Sequence, residues 1–198
     1  MKGIVFTEFL ELVEEKFGLA MVDKIITQST LESGGAYTAV GTYNFSEMLQ
    51  LISHLSENTD ISVDNLLMVF AEHFFKALIK SHPNLVAHYK DPMNLLASIE
   101  DHIHFEVKKI YPDAQLPSFE LEEKTDDKMV MIYKSDKALY MLGKGLMLET
   151  FKLLVDQAEG NIEFVSLASR GEPLLCPYIK KMLAYTRDKF FNLNKLNN

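Results

Sequence analysis

A histidine and three polar side chains further along the chain are the residues best suited to chemistry. His104 lies between apolar neighbours on a predicted helix. Tyr133, Ser135 and Lys137 follow at two-residue spacing, so in an extended segment all three would share one face. A neutral imidazole can ligate iron, whereas hydroxyl groups and an ammonium group can bind carboxylates. Together these residue types would suit the iron and the two propionates of a heme.

Each signal also has an ordinary structural explanation. A lone histidine beside an apolar stripe is more often a core residue than a ligand, and alternating Tyr, Ser and Lys is also typical of a half-exposed strand end. His102 and His104 resemble a His-x-His chelate, but residues two apart on a helix point about 200° away from each other. We therefore expect at most one of them to face an interior site. His104, on the flank of the helix's apolar stripe, is the candidate.

Composition restricts the class of protein. The chain has 198 residues, of which 47% are apolar and 24% charged, as in an ordinary globular domain. A net charge of −8 argues against nucleic acid or an anionic membrane as the main partner. The single cysteine, Cys176, excludes an internal disulfide and a multi-cysteine zinc site within the chain. Because no run of about 18 apolar residues occurs, we expect a soluble, cytoplasmic protein.

Apolar spacing predicts helices for most of the first half of the chain. These helices cover residues 3–17, 19–28, 46–56 and 62–81. Asp91-Pro92 supplies an N-cap acceptor and a proline at the first helical position, so it predicts one further helix that runs to Tyr111-Pro112. This helix carries His104, and its apolar stripe consists of Leu96, Ile99, Ile103, Val107 and Ile110.

Beyond Pro117 the apolar period changes from helical to alternating. Strands are predicted at residues 119–123 and 128–133, joined by a polar turn at 125–127, and again at 162–167. Further helices are predicted at 138–155 and 178–191.

The order of the elements, helices first and then strands around one more helix, is typical of an α+β fold. We predict a single domain over residues 1–180. A helical N-terminal subdomain of about residues 1–60 would pack on a mixed helix/antiparallel-sheet subdomain of about residues 61–180. Residues 181–198 would form a C-terminal extension.

One segment of the chain resembles a known family. Residues 103–119, IHFEVKKIYPDAQLPSF, are similar to the proximal-histidine segment of the heme nitric oxide/oxygen-binding (H-NOX, or HNOB) family. That family includes the heme domain of soluble guanylate cyclase and bacterial stand-alone sensors. Tyr133, Ser135 and Lys137 resemble its Tyr-x-Ser-x-Arg signature. Residues 1–5 and 70–75 also resemble the corresponding segments of family members. The resemblance covers roughly residues 1–170.

The resemblance implies a heme b between the two subdomains. His104 would be the fifth ligand of its iron, the Tyr133, Ser135 and Lys137 triplet would hold the propionates, and Pro117 would pack against the porphyrin. Lys137 departs from the family's arginine, and it cannot make the bidentate contact that a guanidinium makes with a carboxylate. Weaker heme retention is expected from this change.

The resemblance also implies which gas is bound. Leu142 occupies the position where members that hold dioxygen carry a hydrogen-bonding tyrosine. Tyr140 is nearby, but on a helix it points about 160° away from Leu142. The remaining pocket positions map to apolar residues, namely Val5, Phe9, Phe74 and Leu146. A sensor that binds nitric oxide and carbon monoxide and excludes dioxygen is expected, although a packed core would show the same apolar set.

The expected output is a signal rather than a reaction. The chain carries no kinase or cyclase signature, so a bacterial sensor of this kind would act on a separate protein, such as a histidine kinase or a cyclic-di-GMP enzyme. The alternative is a cofactor-free α+β protein-interaction module, in which His104 is structural. A hydrolase that uses paired carboxylates and a histidine is a weaker candidate, because neither Gly-x-Ser-x-Gly nor His-Glu-x-x-His occurs.

Overall fold

The structure, a computed structural model, describes residues 1–125, 129–137 and 139–155. Within them it contains seven α-helices and two strands. The helices are α1 (Gly3–Phe17), α2 (Leu19–Gln28), α3 (Phe45–Thr59), α4 (Val63–Ser81), α5 (Pro92–Ala97), α6 (His104–Ile110) and α7 (Tyr140–Val155). The strands are β1 (Ser118–Lys124) and β2 (Met129–Lys134). The α+β fold class predicted from the sequence is confirmed.

Side-chain caps fix where several helices begin. The Asn44 side chain accepts a hydrogen bond from Ser46 N at the start of α3, at 3.0 Å. The Asp91 carboxylate accepts one from Met93 N at 2.8 Å, directly before the proline that opens α5. Such acceptors satisfy backbone N–H groups that have no partner inside the helix. At its other end α3 stops at Asp60, whose φ of 56° lies in the left-handed region.

Two apolar clusters form the core of the described chain. The first joins α1, α2 and α3 to the first half of α4, and its most deeply buried members are Phe6, Val13, Ile25 and Leu51. The second joins α5, β2 and α7 through residues such as Met93, Met131, Met147 and Phe151. Because Leu66, Leu67 and Phe70 belong to the first cluster, its packing extends beyond residue 60. The division into subdomains stays a prediction.

Helices α4 and α7 connect the two clusters at close range. Ala71 of α4 is fully buried, and a Cβ built on Gly145 of α7 would lie 2.3 Å from the Ala71 Cβ. Only the absence of a side chain at Gly145 lets the two backbones come this close. The same two helices carry Phe74, Leu142 and Leu146, so this contact fixes the spacing of those side chains.

One buried carboxylate holds the N-terminal region together. Glu47 is 2% exposed, and it accepts hydrogen bonds from Ser33 Oγ at 2.5 Å and from Tyr37 Oη at 2.7 Å. Burial, together with this neighbouring carboxylate, raises the pKa of Tyr37. The tyrosine ring stacks on Phe6 with centroids 4.4 Å apart. These contacts anchor the glycine-containing loop between α2 and α3 to the core.

The helix predicted from Pro92 to Ile110 is not continuous. It ends at Ala97, resumes as a wide π-helical turn at Ile99–Ile103, and becomes α-helical again at His104. The turn is marked by a bond from Ile103 N to Ser98 O at 3.3 Å, five residues back. Ser98, at the start of the turn, lies outside the α-helical region, and its Oγ donates a hydrogen bond to Tyr89 Oη at 2.6 Å. Apolar periodicity could not reveal this break, since the residues on both sides of it still face inward.

The predicted hairpin is confirmed with small shifts of its ends. Strands β1 and β2 pair antiparallel, with Ser118 opposite Lys134 and a bulge between Leu121 and Glu123. The predicted strand at 162–167 and the predicted helix at 178–191 lie outside the described residues. None of the described helices is long and apolar enough to cross a membrane.

Candidate ligand site in the central cavity

A cavity of about 270 Å³ lies between the two apolar clusters. Its walls come from α1, α4, α5, α6, α7, the hairpin and the loop at 111–117. The predicted site residues that line it are Val5, Phe74, His104, Pro117, Tyr133, Ser135, Lys137, Leu142 and Leu146. Most of the remaining wall is apolar. The fold therefore brings nearly all the predicted residues around one space.

His104 is the imidazole in this cavity wall. Its side chain is 12% exposed, and its Nδ1 lies 3.2 Å from Glu100 Oε1. Burial lowers the pKa of His104, although the Glu100 carboxylate opposes this effect. The ring is therefore neutral at pH 7, and neutral imidazole is the form that ligates a metal. The ring lies 5.8 Å from the ring of Phe119, measured between centroids.

His102 lies away from the cavity. Its Nδ1 is 2.7 Å from Tyr89 Oη, which also bonds to Ser98 at the start of the wide turn. The prediction that at most one of the two histidines faces the interior site is confirmed. His102 and Tyr89 instead stabilise the turn that sets the position of His104.

The three polar residues meet at one end of the cavity, but not on one extended strand. Strand β2 ends at Lys134, and Ser135 begins a turn in which its Oγ accepts a hydrogen bond from Lys137 N at 3.1 Å. Lys137 Nζ donates to Gln115 Oε1 at 3.1 Å. Tyr133 is 2% exposed, and burial raises the pKa of its hydroxyl, which stays protonated. The prediction of an all-extended triplet is corrected, yet all three side chains still line the cavity.

Phe9 is the one predicted pocket residue that does not line the cavity. It is 1% exposed in the first apolar cluster, and its ring meets the ring of Phe70 edge to face, with centroids 5.4 Å apart. Phe70 in turn lies 5.7 Å from the cavity residue Phe74. Phe9 therefore supports the wall from behind.

A polar network beside the cavity was not found by the sequence argument. Lys2 Nζ donates to Asp113 Oδ1 at 2.9 Å and to Thr42 Oγ1 at 3.0 Å, and Thr42 Oγ1 donates to Asp113 Oδ2 at 2.6 Å. The Thr42 hydroxyl and the Lys2 ammonium hold the pKa of Asp113 at about 2. The network joins Asp113 to two residues that lie more than 70 positions earlier, so no local pattern could have predicted it.

Glu100 is a second residue that sequence reasoning missed. Its Oε1 accepts a hydrogen bond from Phe119 N at 2.7 Å as well as facing His104. A carboxylate four residues before a histidine on a helix was the available signal, because such residues lie on the same face.

A cavity with one buried neutral imidazole, an apolar wall and a cluster of hydroxyl and ammonium groups at one end has the donor set of a heme-binding sensor domain. Comparison with known proteins agrees. The profile of the Haem-NO-binding (HNOB) family matches residues 2–159, so the chain belongs to the H-NOX family of heme-based gas sensors. Domains of this family bind heme and are sensors rather than catalysts.

Individual relatives support this membership. The chain is 23% identical over 165 residues to soluble guanylate cyclase gcy-35 of Caenorhabditis elegans. The aligned region covers 79% of this chain but only 23% of the length of that protein. It is 52% identical to the Fe(II) unliganded H-NOX protein from K. algicida, with a TM-score of 0.83 over 96% of this chain and 98% of the other. The IWP-051-bound H-NOX from Shewanella woodyi, in the Fe(II)CO state, is 31% identical, with a TM-score of 0.74 over 98% of both chains.

Proposed function

We propose that this protein is a nitric oxide sensor that holds heme b in the central cavity. His104 would ligate the iron, while Tyr133, Ser135 and Lys137 would hold the propionates and Pro117 would pack against the porphyrin. The observation that carries the proposal is that the neutral imidazole of His104 and this polar triplet line the same apolar cavity. Carboxylates accept hydrogen bonds from hydroxyl and ammonium groups, so the chemistry of the triplet suits propionates.

The gas preference follows from the apolar side chains of the cavity. Val5, Phe74, Leu142 and Leu146 have no hydrogen-bond donor in their side chains. Iron-bound dioxygen carries partial negative charge and needs a donor for stability, whereas nitric oxide and carbon monoxide bind ferrous heme without one. We therefore expect nitric oxide and carbon monoxide to bind and dioxygen to be excluded.

The output would begin at His104. Heme held by these residues would supply the gas-binding site, and His104 would be the residue whose bond to the iron is weakened when nitric oxide binds. His104 directly follows the wide π-helical turn at Ile99–Ile103, and such turns frequently occur at functional sites. Release of the imidazole would let α6 shift relative to α1 and α4, which is a two-state element that a ligand can bias.

The receiver of this signal would be a separate protein in the bacterial cytoplasm, either a histidine kinase or a cyclic-di-GMP enzyme. The sensor itself would not be an enzyme. This part of the proposal is supported by the sensor role of the family and by resemblance to its bacterial stand-alone members.

An absorbance spectrum of the purified ferrous protein tests the proposal. A Soret band that shifts with nitric oxide under anaerobic conditions, and stays unchanged in air, is expected. In the variant His104→Gly this band should be lost and then restored by added imidazole, whereas His54→Gln, on α3 and away from the cavity wall, should behave like the unmodified protein. A protein that stays colourless after reconstitution with heme would contradict the proposal and leave the cofactor-free interaction module as the explanation.

A further inference from the structure

The Glu100 carboxylate contacts the Nδ1 nitrogen of His104. Glu100 Oε1 lies 3.2 Å from His104 Nδ1 and accepts a hydrogen bond from Phe119 N at 2.7 Å. The second bond fixes the carboxylate to the first residues of β1. A carboxylate fixed in this way cannot turn into solvent as a free surface glutamate would, although its side chain is 42% exposed.

This contact favours one tautomer of the His104 ring. A carboxylate accepts hydrogen bonds, so its place beside Nδ1 favours the neutral ring that is protonated at Nδ1. The lone pair then lies on Nε2, the nitrogen that a metal would need. Within the part of the chain that the structure describes, no recorded hydrogen bond involves Nε2 of His104. In this tautomer Nε2 is free to act as a ligand atom in the wall of the cavity.

We propose that Glu100 is a positioning residue that sets the strength of the bond between His104 and iron. A negative charge at Nδ1 increases the electron density at Nε2, and outer partners of this kind raise the basicity of a ligating histidine. A stronger iron–histidine bond makes nitric oxide less able to release His104, so Glu100 would set the threshold of the sensor. This inference rests on the proposed function, because it takes His104 as the iron ligand.

Nearby charged groups are less suited to this role. Lys108 lies one turn further along the same helix and acts on the imidazole in the opposite sense to Glu100. Glu106 instead forms an ion pair with Lys109, in which Glu106 Oε1 lies 2.6 Å from Lys109 Nζ. Because Glu106 lies on the same helix and carries the same charge, it provides a matched control.

Three variants of the full, heme-loaded chain test the inference. Glu100→Gln removes the charge but keeps an acceptor for Phe119 N and for His104 Nδ1. Glu100→Ala removes both the charge and the acceptor. Glu106→Gln is the control. The measurement is the iron–histidine stretching frequency of the ferrous unliganded protein, by resonance Raman spectroscopy. We expect a lower frequency in Glu100→Gln, a still lower one in Glu100→Ala, and no change in Glu106→Gln.

Loss of heme to apomyoglobin provides a second readout. Outer partners of metal ligands commonly contribute 10- to 100-fold to affinity, so we expect heme loss to be roughly 10-fold faster in Glu100→Ala than in Glu106→Gln. Frequencies and loss rates that are the same in all three variants as in the unmodified protein would overturn the inference.

Nitrogen-15 chemical shifts of the histidine rings in the heme-free full chain separate this inference from the proposed function. We expect His104 to be protonated at Nδ1 in the unmodified protein and in Glu106→Gln, and to become a mixture of tautomers in Glu100→Ala. This result does not depend on iron. A protein that takes up no heme would contradict the proposed function, whereas an unchanged tautomer in Glu100→Ala would contradict the role of Glu100 itself.

Discussion

Lys2 Nζ lies 2.9 Å from Asp113 Oδ1, and this ion pair joins the residue before α1 to the loop that follows α6. Thr42 completes the link by donating to the other carboxylate oxygen at 2.6 Å. The pair lies beside Lys137, which lines the same polar cleft. The contact therefore ties the loop after α6 to the start of α1.

Replacing the carboxylate by an amide should weaken this link in a pH-dependent way. The pKa of Asp113 in the folded protein is about 2, below its ordinary value of 3.8. A depressed pKa stabilises the folded state above about pH 4, and this stabilisation is lost as the pH falls towards 2. We expect Asp113→Asn to melt a few degrees lower at pH 7, and the difference from the unmodified protein should vanish near pH 2. Thermal melts across this pH range provide the measurement.

The exposed aspartate Asp23 offers a matched control, because Asp23→Asn removes the same charge from α2. Its melting temperature should follow that of the unmodified protein at every pH. The Asp113 effect should also shrink in high salt, since the pair is partly exposed and therefore screened. Equal behaviour of the two variants would show that the link contributes nothing to stability.

A methyl group at the contact between α4 and α7 should destabilise the fold. In Gly145→Ala the new Cβ would lie 2.3 Å from the Cβ of Ala71, so the two helices must separate. We expect a loss of about 1–3 kcal/mol in the free energy of unfolding, which is typical of an overpacked core. Urea denaturation of the purified variant measures it.

Gly143 lies on the same helix, but an alanine at this position should not destabilise the fold. A Cβ there would meet the ring of Tyr133 at 3.4 Å, which is an ordinary contact. Because alanine favours a helix over glycine, Gly143→Ala should be neutral or more stable by up to about 1 kcal/mol. If both variants lost the same free energy, a general intolerance of α7 to substitution would explain the result rather than its close approach to Ala71.

Local patterns in the sequence were sufficient for most elements of the fold. The helices at 3–17 and 19–28 were predicted with their observed ends, because a glycine at position 18 separates two amphipathic stretches. The wide turn before His104 was missed; Ser98, at its start, bonds through its side chain to Tyr89, nine residues earlier. Apolar spacing reports which face is buried, and it carries no information about such a side-chain bond.

The sequence also predicted some residues of the candidate site and missed others. His104 and Tyr133 could be found because motifs placed them, and the cavity brings them together. Asp113 was missed because its partner Lys2 lies far away in the sequence. Glu100 was overlooked although its position four residues before His104 was visible in the sequence. Phe9 was placed in the pocket by resemblance, and the structure locates it one layer behind the wall.

Replacing Lys137 by arginine should strengthen the binding of heme. Lys137 Nζ is a single point of charge, whereas a guanidinium can bind a carboxylate with two parallel hydrogen bonds. If the triplet holds the propionates, one added hydrogen bond of about 1 kcal/mol should slow heme loss in Lys137→Arg by roughly 5-fold. Transfer of heme to apomyoglobin measures this rate. Lys134→Arg, at an exposed position that pairs with Glu120, should leave it unchanged.

A hydroxyl group at Leu142 should change the gas preference. Leu142 lines the cavity, and the resemblance predicts that it occupies the position of the tyrosine found in members that hold dioxygen. We expect ferrous Leu142→Tyr to form a stable dioxygen complex in air, visible as a shifted Soret band, because the phenol can donate a hydrogen bond to the bound gas. Leu142→Phe adds almost the same volume without the hydroxyl, and its spectrum should stay unchanged in air. If both variants bound dioxygen, the size of the side chain would set the gas preference, and the absence of a donor could no longer explain it.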